Sequence, residues 1–381
     1  MSIKVLHSRE LWLPITETWL FNQIKYLSQD IESHIICDRL ENRDIFDLES
    51  INICHYFSIL NNQYVKRFIG PICRNGCLRK LHKAYLFNII HSHFAWEAYR
   101  NMDFARKFAI PHVMTPYGLD VSKLPRKYPK WKSRYKNMFF YLDLVLCEGS
   151  CMAQKVMELG CSENKIRIHR LGIEVDKIKY RQRQWTSLEP LKILIVASFR
   201  EKKGIPYAIE AIGKMSKEIQ VEITIIGDAG NDESSQIEKK KIINKLSEYS
   251  LTSCTRMLGY QSQTRVFEVA YKNHIFISPS ITACDGDDEG GLPVGLIEMA
   301  ATGMPVISSY HCDIPELINH KETGLLSEEK NSNSLYDNIV WLINNKQQWS
   351  ILTNKMREHI VTNYNAKKQG EVLSLHYNKF V

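Results

Sequence analysis

The chain has 381 residues, of which 44% are apolar and 24% charged. A globular protein of that composition and length exceeds the ~250–300 residues at which a single core stops growing, so about two domains are expected. A formal charge of +8 without a nucleic-acid motif sets aside nucleic-acid binding.

Lys4, Arg9, Glu10 and Glu17 interrupt the first residues, so no signal-peptide core is expected there. Apolar runs then alternate with helical patterns, as in a parallel sheet flanked by helices. Strands are predicted at 3–6, 34–37, 89–94, 112–115, 142–146 and 166–170 in the first half. The longest apolar run, 138–147, is broken by Asp143 and falls short of the ~20 residues of a spanning helix. A polar stretch at 180–188, containing Arg181 and Trp185, reads as the linker. Beyond it, strands are predicted at 192–197, 222–226, 255–258, 275–278 and 305–308. The boundaries expected are 1–185 for the first domain, 186–365 for the second, and a last helical segment at 366–381 that crosses back to the first. Ten scattered cysteines are expected as reduced thiols in a cytoplasmic protein. Cys73 and Cys77 share an interval with Cys147 and Cys151, but no second cluster completes a zinc framework.

The most informative stretch is Glu289-Gly-Gly-Leu-Pro-Val-Gly-Leu-Ile-Glu298. An acid, Glu289, sits in a loop with Gly290, Gly291 and Leu292; a helix starts behind Pro293 and carries the second acid, Glu298. A glycine-rich loop and a helix amino terminus present backbone N–H groups that attract phosphate. A carboxylate on the helix can accept hydrogen bonds from ribose hydroxyls. This stretch resembles the donor motif of retaining glycosyltransferases of family four, in the subgroup that builds bacterial surface polysaccharides. Further segments follow the family's order: the loop of Glu17 and Thr18, His91-Ser-His93, Tyr117-Gly-Leu-Asp120, His169 to Asp176, Arg200 to Gly204, Gly227-Asp228, Ser278-Pro-Ser280, and Ile314 to Leu326. The chain departs from the family at Tyr117, where many relatives carry histidine, and at Ser198, where many carry arginine. Glu289 and Glu298 are separated by eight residues, one more than in much of the family.

The resemblance implies an α/β fold of the GT-B class, two doubly wound Rossmann-like domains facing across a cleft. It also implies a UDP- or GDP-linked sugar donor on the second domain, and transfer to a saccharide or lipid-linked oligosaccharide with retention of configuration. Arg200 and Lys203, at a strand-to-helix turn, would neutralise the leaving diphosphate in place of a metal, and no cofactor is expected. Gly227 would let the backbone approach the nucleotide. Asp285-Gly-Asp287 matches the metal signature of the other large glycosyltransferase fold, but its context favours a solvated acidic loop with Glu289 facing the donor sugar.

On the acceptor side the candidates are Glu17, His93, Tyr117 and Asp120. His91 and His93 are expected to face opposite sides of a strand. Tyr117 stays open between sugar contact and packing residue. Seven basic residues between Lys123 and Lys136, with Tyr128, Trp131 and Tyr135 among them and no acid, suggest a peripheral contact with an anionic membrane surface. Two other classes remain open: a nucleotide-sugar epimerase and a noncatalytic nucleotide-sugar-binding protein.

Overall fold

The computed structural model describes residues 2–14, 18–43, 46, 51–55 and 63–381, and the side chains of all of these except 55 and 63–71. The chain forms two compact units, one of residues 1–172 and 365–381 and the other of 173–364.

Among the described residues, nine strands belong to the first unit: β1 Ile3–Ser8, β2 Leu11–Trp12, β3 Ile31–Cys37, β4 Arg39–Leu40, β5 Asn52–His55, β6 Ile89–His93, β7 His112–Thr115, β8 Leu144–Cys147 and β9 Ile166–Ile168. Seven of them make one sheet in the order β5-β3-β1-β6-β7-β8-β9, and β2 pairs with β4 separately. All the pairings are parallel. Parallel strands covered on both faces read as continuous apolar runs, which is why Ile3–Leu6 and Ile89–Ile90 stood out in the sequence. The final helix, Ala366–Tyr377, returns to this unit. Its Leu373 and Tyr377 pack with Ile3, Val5, Ile89, Val113, Leu144 and Leu146.

The second unit carries β10 Leu191–Val196, β11 Val221–Ile226, β12 Thr255–Met257, β13 Ile275–Ile277, β14 Val306–Ser309 and β15 Leu325–Ser327. They form one parallel sheet in the order β12-β11-β10-β13-β14-β15. The order reverses between β10 and β13, the switch point where doubly wound sheets bind ligands beyond the strand ends. Side chains alternate across the sheet. Leu191, Ile193 and Ile195 of β10 pack with the helix Ile205–Met215 on one face. Leu194 packs on the other with the helix Val294–Ala301.

The stretch 180–188 is not a linker. The chain enters the second unit at Ile173, and Trp185 lies in its core beside Leu191 and Trp349. Arg183 donates to the carbonyls of Asn273 (3.0 Å), Ala270 (3.2 Å) and Thr302 (3.2 Å). Carbonyls at helix ends lack intrahelical partners, and a guanidinium with its several donors satisfies them at once. Arg183 and Trp185 are thus buried anchors, and the exposed residues around them, Arg181, Gln182, Gln184, Thr186 and Ser187, account for the polar composition.

Candidate functional site

The turn after β10, the end of β11 and the long loop after β13 meet at the carboxyl edge of the second sheet. Two glycines permit the approach. Gly227 has φ +125°, and a Cβ there would stand 1.9 Å from the carbonyl oxygen of Ala197; Gly204, at φ +62°, would place one 2.0 Å from that of Pro279. Each position excludes a side chain both sterically and by its left-handed backbone.

The basic turn and the acidic loop are locked together. Lys203 Nζ lies 2.8 Å from each carboxylate oxygen of Glu289, and Ser280 Oγ donates to Glu289 Oε1 at 2.6 Å. Arg200 Nη2 is 2.5 Å from Asp287 Oδ2. Lys202 Nζ stands between the acids, 3.3 Å from Asp287 and 3.7 Å from Glu289, and donates to the Asp288 carbonyl at 2.7 Å. Asp287 and Asp288 are buried, so the expected solvated acidic loop is instead folded inward. The physical reason is supplied by the turn: carboxylates enter a low-dielectric site only with charge partners and hydrogen bonds, and three cations are adjacent.

These contacts set the ionisation of the site. Burial alone would raise the Glu289 carboxyl, but Lys203 and Lys202, with the hydrogen bonds from Lys203 and Ser280, bring it down to about 2. Burial lowers the Lys203 ammonium below its usual value, with Glu289 acting against it. Glu298 differs. Half-buried on the helix Val294–Ala301, it accepts 2.7 Å from Gln263 Nε2, and desolvation pushes it up to about 7. Arg200, Lys202 and Lys203 face Asp287 and Glu289, with the buried Asp288 between those two acids in the loop. The arrangement can present a fixed carboxylate beside cations suited to phosphate.

The structure brings Arg200, Lys203 and Glu289 together, with Gly290 (φ +76°) following in the loop and Pro293 directly before the helix of Glu298. Gly291 is buried. Leu292 does not join them as a side-chain contact, because it is turned into the core with Leu296 and Ile297. The sequence reading passed over Lys202, Ser280 and Gln263. Ser280 and Lys202 lie inside segments already noted for other residues, so proximity in the chain was a usable signal; Gln263 left none.

In the first unit, Glu17 lies outside the described residues. His91 and His93 do not face opposite sides: their ring centroids are 4.2 Å apart. Residues two apart on a strand share a face, so the expected divergence misapplied the strand period. With His7 they form a buried group whose nearest ring nitrogens all lie within 4.8 Å of one another. His7 Nδ1 is 3.2 Å from His93 Nε2, and His93 Nδ1 is 2.7 Å from Tyr117 Oη. Both nitrogens of His91 are engaged, by Tyr377 Oη at 2.6 Å and Thr115 Oγ1 at 2.7 Å. Burial, reinforced by His34, pushes His7 down to about 3, and burial with neighbouring imidazoles holds His91 and His93 well below the usual value. These rings are neutral hydrogen-bonding groups. Tyr117 is half-buried and packs on Trp19 at 4.3 Å and Phe94 at 4.8 Å. Asp120 is fully buried. Its oxygens accept from the backbone N–H of Ala95 (2.8 Å) and Tyr117 (3.0 Å), so it fixes the turn and the start of the helix Ala95–Lys107.

Comparison with known proteins gives this geometry a family. A profile described as "Glycosyl transferases group 1" matches residues 176–367, and one described as "Glycosyltransferase Family 4" matches 16–177. The chain belongs to the group 1 glycosyl transferases. It is 34% identical over 220 residues to the amylovoran biosynthesis glycosyltransferase AmsK of Erwinia amylovora, a match covering 58% of this chain and 52% of the relative. It is 20% identical to an uncharacterized 41.2 kDa protein in the cps region of Klebsiella pneumoniae, covering 81% and 82% of the two chains. The chain thus spans about half the length of AmsK. Among solved structures, Anabaena Alr3699/HepE in complex with UDP and glucose superposes with a TM-score of 0.79 at 13% identity, over 99% of this chain and all of that one. That likeness, with the two Rossmann-like units, establishes the GT-B fold class. Among the described residues no helix is long and apolar enough to cross a membrane.

Proposed function

We propose that this family member transfers a sugar from a nucleotide-sugar donor to a saccharide acceptor in the building of a bacterial surface polysaccharide, with retention of configuration and without a metal ion. The observation that carries the reading is the Lys203–Glu289 pair beside Arg200, at the switch point of a sheet whose next helix presents Glu298. Glu298 would accept from ribose hydroxyls, taking the place of its bond to Gln263, while the glycine-bearing loop at Gly227 and Gly290 approaches the nucleotide. Arg200 and Lys203 would take up charge as it develops on the leaving diphosphate. Asp287, already paired with Arg200 and Lys202, is poorly placed to serve a divalent cation. The HepE complex with UDP and the AmsK likeness support a UDP-linked donor and a polysaccharide product. The first unit is read as the acceptor-binding half, with the half-buried Tyr117 as its aromatic contact, held by the hydrogen bond to His93.

Calorimetry and mass spectrometry across a panel of UDP- and GDP-sugars test this directly. A UDP-sugar is expected to bind and turn over, and turnover is expected to persist in saturating EDTA. Glu298→Ala should weaken nucleotide binding at least tenfold, because a hydrogen bond to a charged group contributes ~1.5–3 kcal/mol. A folded Glu298→Ala protein with wild-type affinity would remove the donor assignment. Loss of turnover in EDTA, restored by manganese, would instead assign the Asp285–Asp287 turn to a metal.

A further inference from the structure

Glu289 sits in a loop that runs from Ser278 to Pro293, and the strands beside it peg that loop at four points. Ser308 Oγ donates to the Ser278 carbonyl at 2.6 Å, and Ser309 Oγ donates to that of Ser280. Thr282 N donates to Glu329 Oε2 at 2.7 Å. The fourth peg is His311, which follows β14 and is buried. Its Nε2 accepts from the backbone N–H of Glu289 at 3.2 Å, while its Nδ1 lies 2.6 Å from Glu329 Oε1. The Glu289 N–H directed at Nε2 requires the neutral ring with Nδ1–H facing the carboxylate, whereas Cys312 and Glu329, acting against burial, push this imidazole up to about 9. The thiol of Cys312 lies 3.2 Å from the same nitrogen, in a residue at φ +46°, a conformation side chains rarely adopt.

One carboxylate, Glu329, therefore fixes both ends of the acidic turn: Thr282 directly, and Glu289 through the imidazole. Lys203 and Ser280 hold the Glu289 side chain, but a side chain is positioned only as well as its main chain. We propose that His311 and Glu329 are positioning residues that fix the backbone of Glu289 relative to the basic turn. The proposal rests on the reading of Glu289 as a donor-site group, yet its geometry can be tested in the ligand-free protein.

Hydrogen–deuterium exchange of the full chain reads the two amides concerned. His311→Ala is expected to speed exchange in peptides spanning 282–291 by roughly tenfold, the upper range for one lost hydrogen bond, with β10 and β11 peptides unchanged. His311→Gln, whose side-chain carbonyl reaches the position of Nε2, should recover most of the protection, which a role in packing alone would not predict. Glu329→Ala should speed exchange at Thr282 and Glu289 together. If His311→Ala unfolds the unit, so that β10 and β11 also exchange, the Gln and Glu329 variants decide. Wild-type protection of 282–291 in a folded His311→Ala or Glu329→Ala protein overturns the proposal. With an accepted nucleotide sugar, His311→Ala should lower kcat about tenfold and leave KM within threefold. The two readings fail separately: no UDP binding by the wild type, with the exchange pattern intact, sinks the donor assignment and leaves the relay standing.

Discussion

Each unit buries a group of polar side chains at the carboxyl end of its central strands, and the two groups meet the cost of burial in opposite ways. In the first, His7, His91 and His93 are kept neutral: His7 bonds to His93, His93 to Tyr117, and His91 to Tyr377 and Thr115. In the second, Lys203, Lys202 and Arg200 stay charged against Glu289 and Asp287. Neutral rings support surrounding side chains without creating a field. A paired charge cluster offers fixed cations to an anionic ligand, at the risk of a large penalty when one partner is removed. The contrast assigns electrostatic work to the second unit and shape to the first.

The largest expected effect comes from breaking the charged pair. Lys203→Met should destabilise the second unit by about 3–5 kcal/mol, since it leaves the buried Glu289 with the Ser280 hydrogen bond and the more distant Lys202 as its remaining charge partner. The double variant Lys203→Met, Glu289→Leu should regain most of that stability, measured by urea unfolding with exchange in β10 and β11 as the local probe, and should regain no activity. A single variant as stable as wild type would mean that the cluster is solvated and that the contrast between the units is wrong.

Acid should separate the units next. An imidazole held neutral by burial binds fewer protons folded than unfolded, so its contribution is intact above the unfolded value near 6.5 and is lost as pH falls below it. For His7, lowered to about 3, that is about 2 kcal/mol by pH 5. Glu289, lowered to about 2, loses its contribution only below about 4.5. Glu298, raised to about 7, has the opposite sign: its contribution is present in acid and fades as pH rises through 7. Between pH 7 and 5 exchange protection should therefore fall further in β1 and β6 than in β10 and β11, where His274, also lowered by burial, accepts from the Lys192 amide. Equal loss in both units would count against the neutral-ring account.

Much of the fold was legible because buried parallel strands are short apolar runs, and all eleven predicted strands are present. β2, β4, β5 and β15 were missed: β2 and β4 have two residues each, β5 and β15 are edge strands, and Leu325–Ser327 is too short to show a period. The donor segment was legible through its order of acid, glycines and helix. Its inward-folded acids were not, since Asp285 to Glu289 looks solvated until Lys202 and Arg200 are placed beside it. His311 and Glu329 gave no signal at all, because they act from neighbouring strand ends far along the chain. The final helical segment expected at 366–381 is present, and Leu373 and Tyr377 do its packing while Leu375 is exposed.

The smallest expected effect lies on the surface, where neither way of handling burial applies. Of the basic aromatic segment, Trp131 and Tyr135 belong to the core, which removes them from any surface contact. Arg126, Lys127, Tyr128, Lys130, Lys132 and Lys136 remain exposed, with Phe140 beyond them. Lys127, Lys130 and Lys132 carry charge that an anionic lipid surface attracts. Reversing all three to glutamate should weaken co-sedimentation with phosphatidylserine liposomes several-fold at low salt. Raising salt to 0.1 M, where screening acts over ~10 Å, should erase most of the difference between the two proteins. Nucleotide affinity should not change, because the proposed donor contacts belong to the other unit. Equal liposome binding by the triple variant would make this segment an ordinary solvated face, and the charged work of the molecule would then be confined to the second unit.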